Sequence, residues 1–125
     1  MAVRRILVAD DETDMRMLIS GFIQMAGWTA IEAGNGRDVL QLTAEKNADA
    51  VLLDWQLGGS DAIQVFHKLR ERKSTENLPC ILLCSEKADV DKEQFKRMGF
   101  SGVLTKSFSY EKVIGGLNEI LGPAK

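Results

Sequence analysis

Ile6-Leu7-Val8-Ala9-Asp10-Asp11-Glu12 opens the reading: four apolar residues give way at once to three acids. Three further runs have the same form. Ala50-Val51-Leu52-Leu53 ends in Asp54, Cys80-Ile81-Leu82-Leu83-Cys84 ends in Ser85, and Val103-Leu104-Thr105 ends in Lys106. A fifth run, Trp28 to Ala33, adds no such group. Short, continuously apolar runs read as strands buried on both faces. In an open parallel sheet the carboxyl ends of the strands share one edge, and ligands bind there. The acids, the Ser85 hydroxyl and the Lys106 amine then meet at one rim. Such a set can hold a divalent cation and a phosphoryl group together.

Helical periodicity fills the gaps between the runs. Met15, Leu18, Ile19, Phe22 and Ile23 recur at i, i+3, i+4, i+7 and i+8, with Thr13 or Glu12 placed to start the helix and Gly27 to end it. Asn35-Gly36 reads as a turn, and Val39, Leu40 and Leu42 to Ala44 as a second, weaker helix. Ala62, Val65, Phe66 and Leu69 mark a third, running to the charged stretch Arg70-Glu71-Arg72-Lys73. Pro79 opens the fourth strand. Val90, Phe95 and Met98 suggest a fourth helix stopped by Gly99. Val113, Leu117, Ile120 and Leu121 make a fifth, stopped by Gly122-Pro123. Strand and helix alternate five times. Short connections then imply a parallel sheet covered on both faces by right-handed crossovers. The first, third and fourth runs belong in the centre, and the more polar Trp28–Ala33 run belongs at an edge. The strand order 2-1-3-4-5 satisfies this. It is a flavodoxin-like three-layer α/β sandwich of five strands and five helices. Its switch point lies between strands 1 and 3, which makes neighbours of Asp10, Asp11 and Asp54.

Size and composition bound the rest. The chain of 125 residues carries a formal charge of −2, with 45% hydrophobic and 27% charged residues. That is one domain over residues 1–125, with an ordinary globular balance. Nucleic acid as a main partner would call for a clustered basic face. No apolar stretch approaches the roughly 20 residues that span a bilayer, and the N-terminus has no signal-peptide form. Cys80 and Cys84 sit four apart in one strand, too far to bridge, and read as small buried hydrophobes. A reducing cytoplasm fits this usage.

The acids carry the chemistry. Two unit charges about 4 Å apart interact by roughly 4 kcal/mol at an effective dielectric near 20, so such a cluster either raises a pKa or takes up a cation. Magnesium suits few carboxylates, several waters and a phosphate oxygen. An acidic helix start facing the macrodipole accounts for Glu12 and Asp14 but not for Asp54. Asp54, at the end of a central strand, is the nucleophile candidate, because a carboxylate can attack phosphorus and carry an acyl phosphate. Lys106 is placed to pair with phosphoryl oxygens and Ser85 to donate to another. His67 lacks the partners of hydrolase or zinc chemistry.

These four motifs together resemble the response-regulator receiver domain of two-component signalling, and the resemblance covers the whole chain. It implies Asp54 as phosphoacceptor, and Asp11 and Asp54 as side-chain Mg2+ ligands. It further implies a Gln56 backbone carbonyl ligand, and Asp10 acting through a metal water. Ser85 and Lys106 would contact the phosphoryl group. The donor would be a phosphohistidine on a sensor histidine kinase or phosphotransfer protein, and the output a changed surface for a downstream protein. Such a domain is a phosphoacceptor, not a turnover enzyme. With no output domain expected within the chain, it reads as stand-alone. Several positions depart from the family pattern. Ser107 stands for the usual proline, Glu86 for a small residue, Val103 for a switch aromatic, and Leu57-Gly58 for Met-Pro. Two glycines in Gln56–Ser60 suggest a loose loop, with Trp55 covering it. The departures leave an alternative, a receiver-like binding module that is not phosphorylated. A phosphohydrolase would want a second acid where Gln56 stands.

Overall fold

The computed structural model describes residues 3–84, 91–105 and 108–122. Strands β1 (Arg5–Ala9), β2 (Thr29–Ala33), β3 (Ala50–Asp54), β4 (Cys80–Cys84) and β5 (Gly102–Thr105) alternate with helices α1 (Thr13–Met25), α2 (Gly36–Glu45), α3 (Ala62–Glu71), α4 (Lys92–Met98) and α5 (Tyr110–Leu121). The strands pair in parallel in the order β2-β1-β3-β4-β5, as the apolar runs predict. The apolar residues of β1, β3 and β4 are fully or almost fully buried. Side chains alternate between two cores. Leu7, Val51, Leu53 and Leu82 pack with Val39, Phe66 and Phe95 on one face. Ile6, Val8, Leu52 and Leu83 pack with Ile19, Ile23 and Leu117 on the other. Arg4 ties the chain's two ends: its guanidinium lies over Trp28 (4.9 Å), bonds Asn118 (2.8 Å) and donates to the Leu121 and Gly122 carbonyls. No helix among the described residues is long and apolar enough to cross a membrane.

The structure corrects the reading at several points. Leu18 fits the helical period yet is 46% exposed, because α1 centres its buried stripe on Ile19 and Ile23. Asn35-Gly36 is no separate turn. Asn35 caps α2, its side chain accepting from the Asp38 N–H at 2.9 Å, and Gly36 is the first helical residue. Asp91 caps α4 by accepting from Glu93 and Gln94, while Val90 lies outside the described residues. Between β3 and α3 the expected loose loop is a tight hairpin, Gln56–Leu57 paired antiparallel with Ser60–Asp61. Gly58 (φ +28°) and Gly59 (φ +84°) turn it. A two-residue turn of the primed kind needs positive φ at both central positions, which glycine supplies at no steric cost. Leu57 is fully buried and anchors the hairpin to the core.

Candidate metal and phosphoacceptor site

Ala9 lies opposite Leu53 in the β1–β3 register, so Asp10 and Asp54 stand at the ends of adjacent strands. One carboxylate oxygen from each of Asp10, Asp11 and Asp54 lies within 4.8 Å of the others. Asp10 is fully buried. Its N–H donates to the Ala33 carbonyl (3.1 Å), and its Oδ1 accepts from the Glu12 N–H (2.9 Å). Its Oδ2 is buried with no hydrogen-bond partner among the described residues. Asp11, more exposed, accepts from the Gly58 N–H at 3.3 Å, which ties the hairpin to the acids. Beside it lies an open depression of about 390 Å³ lined by Asp11, Gln56, Gly58, Asp61 and Gln64. Asp54 is half-buried.

Three carboxylates on one rim, one with a desolvated oxygen lacking a partner among the described residues, form an all-oxygen donor set that fits a hard divalent cation. The arrangement can gather a cation beside the half-buried Asp54 carboxylate at a sheet edge. The profile of the response regulator receiver domain family matches residues 6–118.

The chain belongs to this family.

The phosphate regulon transcriptional regulatory protein PhoB of Pseudomonas aeruginosa is 30% identical over 121 residues, which is 97% of this chain and 53% of PhoB. The transcriptional regulatory protein ResD of Bacillus subtilis is 32% identical, over 88% of this chain and 45% of ResD. The receiver thus spans about half the length of the curated relatives it matches. Among solved structures, chemotaxis protein CheY4 of Vibrio cholerae superposes with a TM-score of 0.87 at 24% identity, covering 95% of this chain and 99% of that one. The receiver domain of sensor histidine kinase PA1611 from P. aeruginosa gives 0.86 at 20% identity, covering 98% and 100%. That structure has a magnesium ion coordinated in its active-site cleft.

The rest of the predicted site is distributed as follows. Trp55 donates its N–H to the Leu83 carbonyl (2.9 Å) and accepts from the Ala62 N–H (3.1 Å), so the residue after Asp54 is held between β4 and α3. Its ring packs edge-on against Phe95 of α4, with centroids 5.5 Å apart. Val103 is half-buried and faces a groove of about 220 Å³ shared with Lys92, Lys96, Leu104, Gly116 and Glu119. Ser85, Glu86, Lys106 and Ser107 lie outside the described residues. The residues before Ser85 and Lys106, Cys84 and Thr105, are register partners at the same sheet edge. Burial pushes the Cys84 thiol up in pKa, the Asp54 charge adds to the rise, and Lys92 opposes it. The thiol therefore stays protonated and weakly nucleophilic.

No motif in the sequence marks Arg16 as part of the site. The structure places its Nη1 2.8 Å from the Asp10 carbonyl and its Nε 3.1 Å from Glu32 of β2. The available signal was a lone basic residue in the acidic opening turns of α1, Thr13 to Arg16.

Proposed function

We propose that Asp54 is the phosphoacceptor of this receiver. A carboxylate oxygen of Asp54 attacks phosphorus and an aspartyl phosphate forms. The bond from phosphorus to the donor histidine nitrogen breaks, and the imidazole leaves with the electron pair and takes up a proton. Asp11, Asp54 and the Gln56 backbone carbonyl would hold Mg2+, with Asp10 acting through a water. The cation would offset charge on the phosphoryl oxygens. Asp54 supplies the nucleophile, and the Asp10–Asp11 pair supplies the negative field that recruits the cation. We assign Ser85 and Lys106 the phosphoryl contacts that the family resemblance implies. The donor class is a phosphohistidine on a sensor kinase or phosphotransfer protein. The new charge of about −1.5 to −2 then shifts the population of a protein-binding surface on α4, β5 and α5.

One observation carries this reading: acids far apart in sequence converge within 4.8 Å, one of them ending a central strand. The magnesium in the PA1611 receiver's cleft supports the choice of cation. The test is incubation with acetyl phosphate and MgCl2, followed by intact-mass spectrometry. The expected result is a single phosphoryl adduct on the parent chain and none on Asp54→Asn. An unmodified parent chain favours the second reading, a receiver-like binding module, to which Glu86, Ser107 and Gly58 point.

A further inference from the structure

Arg16 reaches backwards from α1 to the strand ends. Its Nη1 donates to the backbone carbonyl of Asp10 at 2.8 Å, and its Nε pairs with Glu32 of β2 at 3.1 Å. The Arg16 side chain is only 19% exposed. Asp10 is therefore held at three atoms. Its N–H bonds to the end of β2, its carbonyl to Arg16, and its Oδ1 to the N–H of Glu12, the residue before α1. Among the described residues the atom without such a bond is Oδ2, which is buried. Every tether thus leaves that one oxygen to serve the acid cluster.

We propose that Arg16 is a positioning residue for cation binding, fixing the Asp10 backbone so that its carboxylate is presented to the cation or its water. This rests on the reading that Asp10, Asp11 and Asp54 gather a divalent cation. Charge balance explains why an arginine beside a cation site does not oppose it. The guanidinium faces a backbone carbonyl on one side and the Glu32 carboxylate on the other. The Arg16–Glu32 pair is neutral as a unit, so it orients Asp10 without cancelling the negative field of the acids. The planar fork of arginine can serve both acceptors at once, and a lysine ammonium on a single stem cannot match that geometry. Outer groups that orient metal-binding residues typically govern affinity by 10–100-fold.

The experiment is a Mg2+ titration of the 125-residue chain, followed by isothermal calorimetry and by tryptophan fluorescence, with Trp55 beside the site and Trp28 as background. The proteins are the parent, Arg16→Ala, Arg16→Lys and Glu32→Gln. Thermal melting in EDTA monitors the fold. Arg16→Ala is expected to raise the Mg2+ dissociation constant at least about tenfold, while phosphoryl transfer from acetyl phosphate at saturating Mg2+ stays within about threefold of the parent. Arg16→Lys is expected to recover part of the affinity. Glu32→Gln, which leaves the guanidinium charge unbalanced, is expected to weaken binding in the same direction. Should Arg16→Ala fail to fold, Arg16→Met keeps the stem and is read in its place. Parent-like Mg2+ affinity in the folded Arg16 variant, with a parent that binds Mg2+ and is phosphorylated, overturns this inference alone. A parent chain that binds no Mg2+ overturns it together with the cation reading.

Discussion

Asp10→Asn puts the site's electrostatics to a test in which the sign of the stability change decides. Asp10 is fully buried, and its carboxylate lies within 4.8 Å of those of Asp11 and Asp54. Two unit charges at that separation repel by about 3.5 kcal/mol at an effective dielectric near 20. The exposure of Asp11 reduces its share. Asparagine keeps an oxygen to accept the Glu12 N–H, which Oδ1 now accepts at 2.9 Å. Its amide nitrogen replaces Oδ2, which has no partner among the described residues, and lies among carboxylates able to accept from it. The variant is expected to be more stable than the parent in EDTA by about 1–3 kcal/mol, worth roughly 3–5 °C in melting temperature per kcal/mol at this size. Mg2+ reverses the comparison. A ligand at a hundred times its dissociation constant stabilises the parent by about 2.7 kcal/mol, and Asp10→Asn should forfeit most of that gain. The assay is a thermal melt in EDTA and across a Mg2+ series. An Asp10→Asn protein less stable than the parent in EDTA, or one keeping the whole Mg2+-dependent gain, refutes the reasoning.

Two predictions concern the scaffold. Gly99 ends α4 at φ +117°, and a Cβ there would lie 3.1 Å from Cζ of Phe66, whose ring is stacked on Phe100 at 4.1 Å. Gly99→Ala should therefore cost about 1–3 kcal/mol in urea denaturation, and a parent-like midpoint would contradict the packing. Burial pushes the Cys80 thiol from 9.0 up to about 11, with Arg70 opposing the rise. The folded state thus holds the proton more tightly than the unfolded chain. That contribution is fully present below about pH 9 and is lost as pH rises to about 11. Relative to Cys80→Ala, the parent should lose up to about 3 kcal/mol over this window; parallel pH profiles would count against it.

Much of this molecule is legible in the chain alone, for a physical reason. A central strand of a parallel sheet is dry on both faces, so Ile6–Ala9, Ala50–Leu53 and Cys80–Cys84 must be continuously apolar. Their ends must then meet at one edge, which places Asp10, Asp11 and Asp54 together without any coordinates. The helices announce themselves less completely. Periodicity places Leu18 with Ile19, but only the packing of α1 on the sheet decides which of them is covered. Short-range polar chemistry is more ambiguous still. Asn35-Gly36 carries the same residue types whether it forms a turn or caps a helix. The hairpin at Gly58-Gly59 is too brief to show a period. What sequence could not reveal depends on atoms from separate elements meeting in space. Arg16 joins α1, the end of β1 and β2, and no local pattern states that its guanidinium reaches the Asp10 carbonyl. The composition of the acid cluster was set by strand order, which hydrophobic patterning dictates. The orientation of its buried member is set by hydrogen bonds that only the tertiary structure makes.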